Sequence, residues 1–107
     1  MNVRTCAPSS SGRTIDVFRE SVEMSTYLVA FIVSEFKSLE VDNYVGVWGR
    51  PNIFEKGSRA KNIATVVRDQ LESETGHTYI LPKLDLIGIP DMGDMGAMEN
   101  WGLITFR

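Results

Sequence analysis

The sequence predicts an α+β fold that is rich in β-structure. Residues 58–75 carry apolar residues at three- and four-residue spacing, which is the pattern of an amphipathic helix. Segments rich in valine, isoleucine and aromatic residues lie on both sides of it, separated by glycine, proline and asparagine. This second pattern is typical of strands joined by turns. A helix between two groups of strands therefore defines the predicted class.

Length, composition and charge narrow the class of protein. The chain has 107 residues, 43% of them hydrophobic, which suits one small globular unit. Its formal net charge is −3 with both signs mixed, which argues against a nucleic-acid partner, since that requires a basic face. The longest apolar run, residues 27–33, is much shorter than the ~20 residues that cross a bilayer. Localisation and oligomeric state are left undetermined by these properties.

The amino-terminal part is predicted to consist of a loop followed by strands. Serine, proline and glycine at residues 7–14 compete with regular pairing, and residues 15–23 carry a weak strand signal. Residues 24–41 fit either a helical stripe or a strand. We interpret them as a long strand because their valine, isoleucine, tyrosine and phenylalanine pack best on a pleated surface. A turn at residues 42–43 then leads into a strand at residues 44–48.

A joint between two units is expected at residues 49–52. Pro51 has no backbone donor and restricts Arg50 to extended backbone. Beyond this joint, Ser58 is predicted to cap the helix. Gly76 is predicted to end it in a left-handed conformation.

Two strands and a turn are predicted after the helix. Leucines and charged residues alternate in a strand at residues 83–89, which Pro82 opens. Residues 90–94 form a turn, and residues 101–106 form the last strand.

The chain has few side chains that bind metals. It contains one histidine, His77, and one cysteine, Cys6. A zinc site takes three or four ligands, typically with two on one helical face, and no His-Glu-x-x-His run is present. We therefore expect this chain alone to bind no zinc. His77 is interpreted as a partner of the helix end or a solvent-exposed residue.

The run Gly96-Ala97-Met98-Glu99-Asn100 places one carboxylate beside small residues. Composition alone is compatible with Glu99 as a surface carboxylate. Its neighbours Met98 and Trp101 favour a partly desolvated anion, and the small residues allow the backbone of a ligand to approach. Such an anion favours a primary ammonium, through a charge-assisted hydrogen bond worth ~1.5–3 kcal/mol.

This run, continued by residues 101–105, resembles the exopeptidase signature, the GAMEN motif, of the zinc aminopeptidases of the aminopeptidase N family. Four other segments resemble the same family in the same order, so the likeness extends over most of the chain from about Val17. They are residues 24–31, 47–51, 81–85 and 89–91.

The resemblance implies a particular fold and domain organisation. Residues 1–48 would be the carboxyl-terminal part of an antiparallel amino-terminal β-domain, which includes a strand near residues 24–31. Residues 49–107 would be the start of a thermolysin-like peptidase domain, with the zinc-binding helix further along the parent chain.

The resemblance also implies a role for each residue of the run. Glu99 would bind the α-amino group of the substrate, and the backbone at Gly96 and Ala97 would pair with the extended peptide as an added strand. Met98 would border the pocket for the first side chain, and Asn100 would hold the loop.

The implied function is that of a fragment of a zinc metallo-aminopeptidase, which removes residues from peptides with a free amino terminus. Zinc, its ligands and any membrane anchor would belong to the remainder of the parent chain, and the family implies the extracellular face of the plasma membrane. The fragment alone is expected to be inactive. The alternative is a non-catalytic truncated module that binds peptides or a protein partner. Met92 and the pair Asp94-Met95 depart from the family's usual residues, which leaves the side-chain preference open.

Overall fold

The structure is a computed structural model that describes residues 4–6, 12, 15–41, 44–94 and 96–107. Two 3-10 turns, Thr26–Leu28 and Pro51–Ile53, accompany the strands and the α-helix. In chain order these are β1 (Arg4–Cys6), β2 (Ile15–Val17), β3 (Lys37–Val41), β4 (Val45–Gly49), α1 (Phe54–Thr75), β5 (Leu84–Gly88), β6 (Ala97–Met98) and β7 (Leu103–Phe106). The turn predicted at residues 42–43, most of the predicted loop at 7–14, and Met95 lie outside the described residues.

The larger sheet has five strands in the order β3-β4-β5-β7-β6. Its centre is parallel, with Val47 beside Leu86 and Leu86 beside Ile104, and both outer pairs are antiparallel. Parallel strands need a long crossover connection, which α1 provides between β4 and β5. A mixed sheet with one α-helix in the described part of the chain confirms the α+β class. Separately, β1 pairs with β2 in an antiparallel two-stranded sheet.

Helix α1 is confirmed, but its predicted start is wrong. The helix begins at Phe54, so Ser58 lies inside it and is not the cap. The 3-10 turn that starts at Pro51 leads directly into the first helical turn, so the chain is already helical before Ser58. The end at Thr75 is as predicted. Gly76 has a φ of 67° and donates its N–H to the carbonyl of Glu72 at 3.0 Å.

The predicted apolar stripe of α1 covers one face of the sheet only in part. Val47, Leu84 and Leu86 are buried there, with Ala60, Ala64, Tyr79 and Ile104 packed against them. An open apolar cavity of about 820 Å³ remains between helix and sheet. Three residues of the stripe line this cavity and stay about half exposed: Ile63, Val67 and Leu71.

The long strand predicted at residues 24–41 is wrong in most of its length. Only Lys37–Val41 forms a strand, and residues 26–28 form a 3-10 turn in which Leu28 N–H bonds Ser25 O at 3.0 Å. Strand propensity reflects packing against a neighbouring strand. No strand of the described part of the chain lies beside residues 29–33. Val33, for example, is 92% exposed.

The strands predicted around α1 are confirmed with small shifts of their ends. Strand β4 matches the expected residues 44–48, and β5 lies inside the expected 83–89. The predicted last strand begins two residues late, because Trp101 and Gly102 form a turn. Of the weak strand at 15–23, only Ile15–Val17 forms. No helix among the described residues is long and apolar enough to span a membrane.

Candidate functional site

The predicted site residues 96–100 lie at one edge of the five-stranded sheet. In β6, Ala97 pairs with Phe106 and Met98 with Thr105 of β7. The Arg107 N–H donates to the Gly96 carbonyl at 3.0 Å and extends this pairing by one residue. No strand in the described residues lies on the other side of β6. The outer edge is therefore available for a further extended chain.

Glu99 lies between this edge strand and a turn. Its side chain is exposed, Met98 is half-buried, and Trp101 is 45% exposed. The described residues alone therefore do not give Glu99 the partial desolvation that was expected from Met98 and Trp101. The small residues Gly96 and Ala97 are also exposed, so the approach to the carboxylate along β6 is open.

Asn100 links the segment to the amino-terminal part of the chain. Only 6% of its surface is exposed, and its Nδ2 donates a long hydrogen bond of 3.4 Å to the carbonyl of Leu28, which is itself buried. The Asn100 carbonyl accepts the Leu103 N–H at 3.0 Å and closes the turn after Glu99. The role that the resemblance implies for Asn100, holding the loop, stays a prediction.

A charged pair that the sequence analysis missed also holds this turn. Lys83 and Asp85 form a salt bridge, with side chains 25% and 16% exposed. The Lys83 ammonium also donates to the carbonyl of Gly102 at 2.8 Å, and Trp48 Nε1 donates to Asp85 Oδ1 at 2.8 Å. Opposite charges two residues apart point to the same face of a strand, and this was the signal available in the sequence.

A second polar cluster fastens the end of α1 to the segment before β5. Glu72 accepts the Tyr79 N–H at 2.6 Å, and the hydroxyl of Tyr79 donates to Lys83 O at 3.2 Å. The guanidinium of Arg68 lies 4.4 Å from the ring centroid of Tyr44. Burial raises the pKa of Tyr79 to about 12 and also raises the pKa of Tyr44. Both phenols therefore stay protonated at neutral pH, and neither acts as a base there.

His77 follows the helix end, as predicted. It is exposed, and its Nδ1 lies 2.8 Å from the carbonyl oxygen of Thr75, so that nitrogen carries the proton and donates it. Within the described residues, no three side chains of the histidine, cysteine, aspartate and glutamate types are grouped to hold a metal ion.

Comparison with known proteins shows a similarity to zinc aminopeptidases. The profile of the peptidase family M1 domain matches residues 59–107, which include the whole candidate site. The resemblance of this chain to the zinc aminopeptidases of the aminopeptidase N family is thus confirmed.

Particular relatives support this assignment over most of the chain. Glutamyl aminopeptidase of Bitis rhinoceros is 46% identical over 98 residues, which cover 88% of this chain and 10% of the relative. Aminopeptidase A of Gloydius brevicauda is 47% identical over 98 residues, with the same two coverages. Aminopeptidase N of Mus musculus is 38% identical over 106 residues, which cover 94% of this chain and 11% of the relative. The chain spans about a tenth of the length of these relatives.

Proposed function

We propose that this chain is part of a zinc aminopeptidase and supplies the segment that recognises the amino terminus of a peptide substrate. The single observation that carries the proposal is the position of Glu99, one residue beyond the open edge strand β6. The family match over residues 59–107 supports it, since the relatives are named as aminopeptidases.

The geometry of β6 favours one direction of binding. A peptide added at the outer edge would lie ~4.8 Å from β6 and exchange main-chain hydrogen bonds with Ala97, since the carbonyl of Gly96 already accepts the Arg107 N–H on the β7 side. Its amino terminus comes next to Glu99 only if it runs antiparallel to β6. The exposed carboxylate of Glu99 would then accept a charge-assisted hydrogen bond from the ammonium group.

The same geometry would limit the complete enzyme to removing one residue at a time from the amino terminus of a peptide. Strand β6 ends at Met98, and the chain turns away after Asn100. A residue placed before the ammonium group would extend beyond the paired strand and move the charge away from Glu99. A free amino terminus would thus fix which peptide bond reaches the reaction centre.

In this proposal the chemistry belongs to parts of the enzyme outside this sequence. Bound zinc supplies Lewis-acid activation of water and of the scissile carbonyl. Residues 1–48 would be the end of the amino-terminal β-domain, and residues 49–107 the start of the thermolysin-like domain. The complete enzyme would act on peptides at the extracellular face of the plasma membrane.

The test uses the complete enzyme that carries this segment, with Glu99→Gln and the matched control Glu35→Gln at another exposed glutamate. Glu99→Gln should lower kcat/KM for an aminoacyl arylamide by about tenfold or more, because the neutral amide loses the charge-assisted bond to the ammonium. Glu35→Gln should change it less than about twofold. Unchanged kinetics for Glu99→Gln would remove this residue from the site.

The alternative is a non-catalytic module that captures peptides or a protein partner, and the open edge of β6 favours it to the same extent. The purified 107-residue chain distinguishes the two. The enzyme proposal expects it to leave an aminoacyl arylamide intact and to bind no stoichiometric zinc. Binding of peptides by this chain that is lost on acetylation of their amino termini would support the module.

A further inference from the structure

We propose that Lys83 and Asp85 position the amine-binding carboxylate of Glu99 by holding the turn that follows it. The inference rests on the proposed function of Glu99. Neither Lys83 nor Asp85 contacts the substrate in this proposal. They act through the main chain between Asn100 and Leu103.

Two donors bond the main chain of Gly102. Its carbonyl oxygen accepts the ammonium of Lys83 at 2.8 Å and the N–H of Asp85 at 3.1 Å. One peptide group of the turn is thus bonded both by the side chain of Lys83, which directly precedes β5, and by the backbone of Asp85 in β5. The ammonium donor makes one of these two bonds charge-assisted, which strengthens it relative to a neutral one.

The carboxylate of Asp85 is held in one orientation. Its Oδ2 accepts from Lys83, and its Oδ1 accepts from Trp48 Nε1 at 2.8 Å on strand β4. Because both carboxylate oxygens are bonded, the ammonium of Lys83 is held in one direction. The limited exposure of the two charged side chains weakens screening by water, so this pair interacts more strongly than one on an open surface.

The turn also holds the main chain at Glu99. The Leu103 N–H bonds the carbonyl of Asn100 at 3.0 Å, so Gly102 lies inside a closed turn. On its other side Glu99 follows Met98, which pairs with Thr105 of β7. The backbone of Glu99 is therefore fixed at both ends. Loosening Gly102 releases one of them.

The experiment uses the complete enzyme with Lys83→Met, which removes the ammonium and keeps an unbranched side chain. We expect KM for an aminoacyl arylamide to rise about tenfold while kcat changes less than about twofold, because binding of the ammonium is weakened before the chemical step. Amide hydrogen exchange across residues 99–103 should become faster. Lys83→Arg keeps the charge and should restore KM to within about twofold of the wild type.

Two further variants keep the test decisive. Lys37→Met removes an exposed lysine on β3, at the opposite edge of the sheet, and should leave KM and exchange unchanged. Asp85→Asn keeps an acceptor for Trp48 but removes the negative charge, and it should raise KM in the same way if Lys83→Met does not fold. Failure of both variants to fold would assign the pair to general stability and overturn the proposal.

The two proposals fail in different ways. If Glu99→Gln raises KM and Lys83→Met leaves both KM and exchange unchanged, the positioning role is wrong and the function of Glu99 stands. If Glu99→Gln has no effect, the proposed function fails first. Equal losses of kcat for Lys83→Met and for Lys83→Arg would also contradict a positioning role, since the conservative variant should then have rescued it.

Discussion

The side chain of Asn100 donates a hydrogen bond to the main-chain carbonyl of Leu28, 72 positions earlier in the sequence. Asn100 follows Glu99 directly, and Leu28 closes the 3-10 turn at Thr26–Leu28. The bond therefore ties the candidate site, at the edge of the sheet, to a segment from the amino-terminal part of the chain. Because Leu28 and Asn100 are both buried, this bond satisfies polar groups that have little contact with water.

Removal of this amide should loosen the site without unfolding the molecule. In the complete enzyme, Asn100→Ala leaves a buried carbonyl without its donor, a loss typically worth ~1–3 kcal/mol. We expect faster amide exchange at residues 96–103 and near Leu28. Asn62→Ala, at an exposed asparagine of α1, is the matched control and should leave exchange at both places unchanged. Equal exchange in the two variants would contradict the proposed tie.

A second prediction concerns the close approach of Asp85 to Gly46. A Cβ atom built at Gly46 would collide with Asp85 Oδ1 and would lie 2.8 Å from Trp48 Nε1. We expect Gly46→Ala to displace the hydrogen bond between Trp48 and Asp85 and to destabilise the fold by ~1–3 kcal/mol, in the range for overpacked sites. Thermal unfolding of the complete enzyme measures the loss. Gly96→Ala, where a Cβ meets no atom within 4 Å, should leave the transition unchanged.

The raised pKa of Tyr79 predicts how stability depends on pH. Burial, with smaller effects of Tyr44 and Asp85, raises the pKa of Tyr79 from 10.0 to about 12. The unfolded chain therefore loses this proton at lower pH than the folded one. The stabilisation is fully present below pH 10.0 and decreases as pH rises through about 12.

A titration of tyrosinate absorbance tests this prediction. Tyr79→Phe should remove the latest ionisation and flatten the decrease in the free energy of unfolding over the same pH range. Tyr27→Phe, at an exposed tyrosine, should leave that late phase in place. A late phase that survives in the Tyr79→Phe protein would assign the shift to another residue, with Tyr44 the first candidate because its pKa is raised too.

Elements with local signals could be predicted from the sequence. The apolar stripe of α1 and the glycine at its end are patterns of residues that are close in sequence. The sequence therefore predicts both the helix and the left-handed conformation of Gly76, and both are observed. Residues 24–41 could not be predicted in the same way. Their valine and aromatic side chains indicate a strand only where a neighbouring strand receives them, and the sequence does not say which segment that is.

The candidate site, like the fold, could be predicted from the sequence only in part. The run around Glu99 was recognisable as a motif, and the strand that contains Ala97 and Met98 fits it. The spacing of Lys83 and Asp85 indicated their pairing, but not the bond from Lys83 to the carbonyl of Gly102, 19 positions away, because a main-chain acceptor leaves no mark in the residue types. The bond from Asn100 to the carbonyl of Leu28 escaped prediction for the same reason.

The last prediction follows from the apolar surface of the chain. Four exposed apolar residues lie close together in the sequence, Tyr27, Val29, Phe31 and Val33. Ile63, Val67 and Leu71 line the open cavity beside α1. A polypeptide of these 107 residues should therefore bind an apolar fluorescent dye and associate in sedimentation experiments, because burying such surface is favourable. Replacing Phe31 and Val33 with serine should reduce both effects, whereas Ser34→Ala should not. A sharp cooperative thermal transition in a monomer that binds no dye would contradict the prediction, since it requires these apolar residues to be covered.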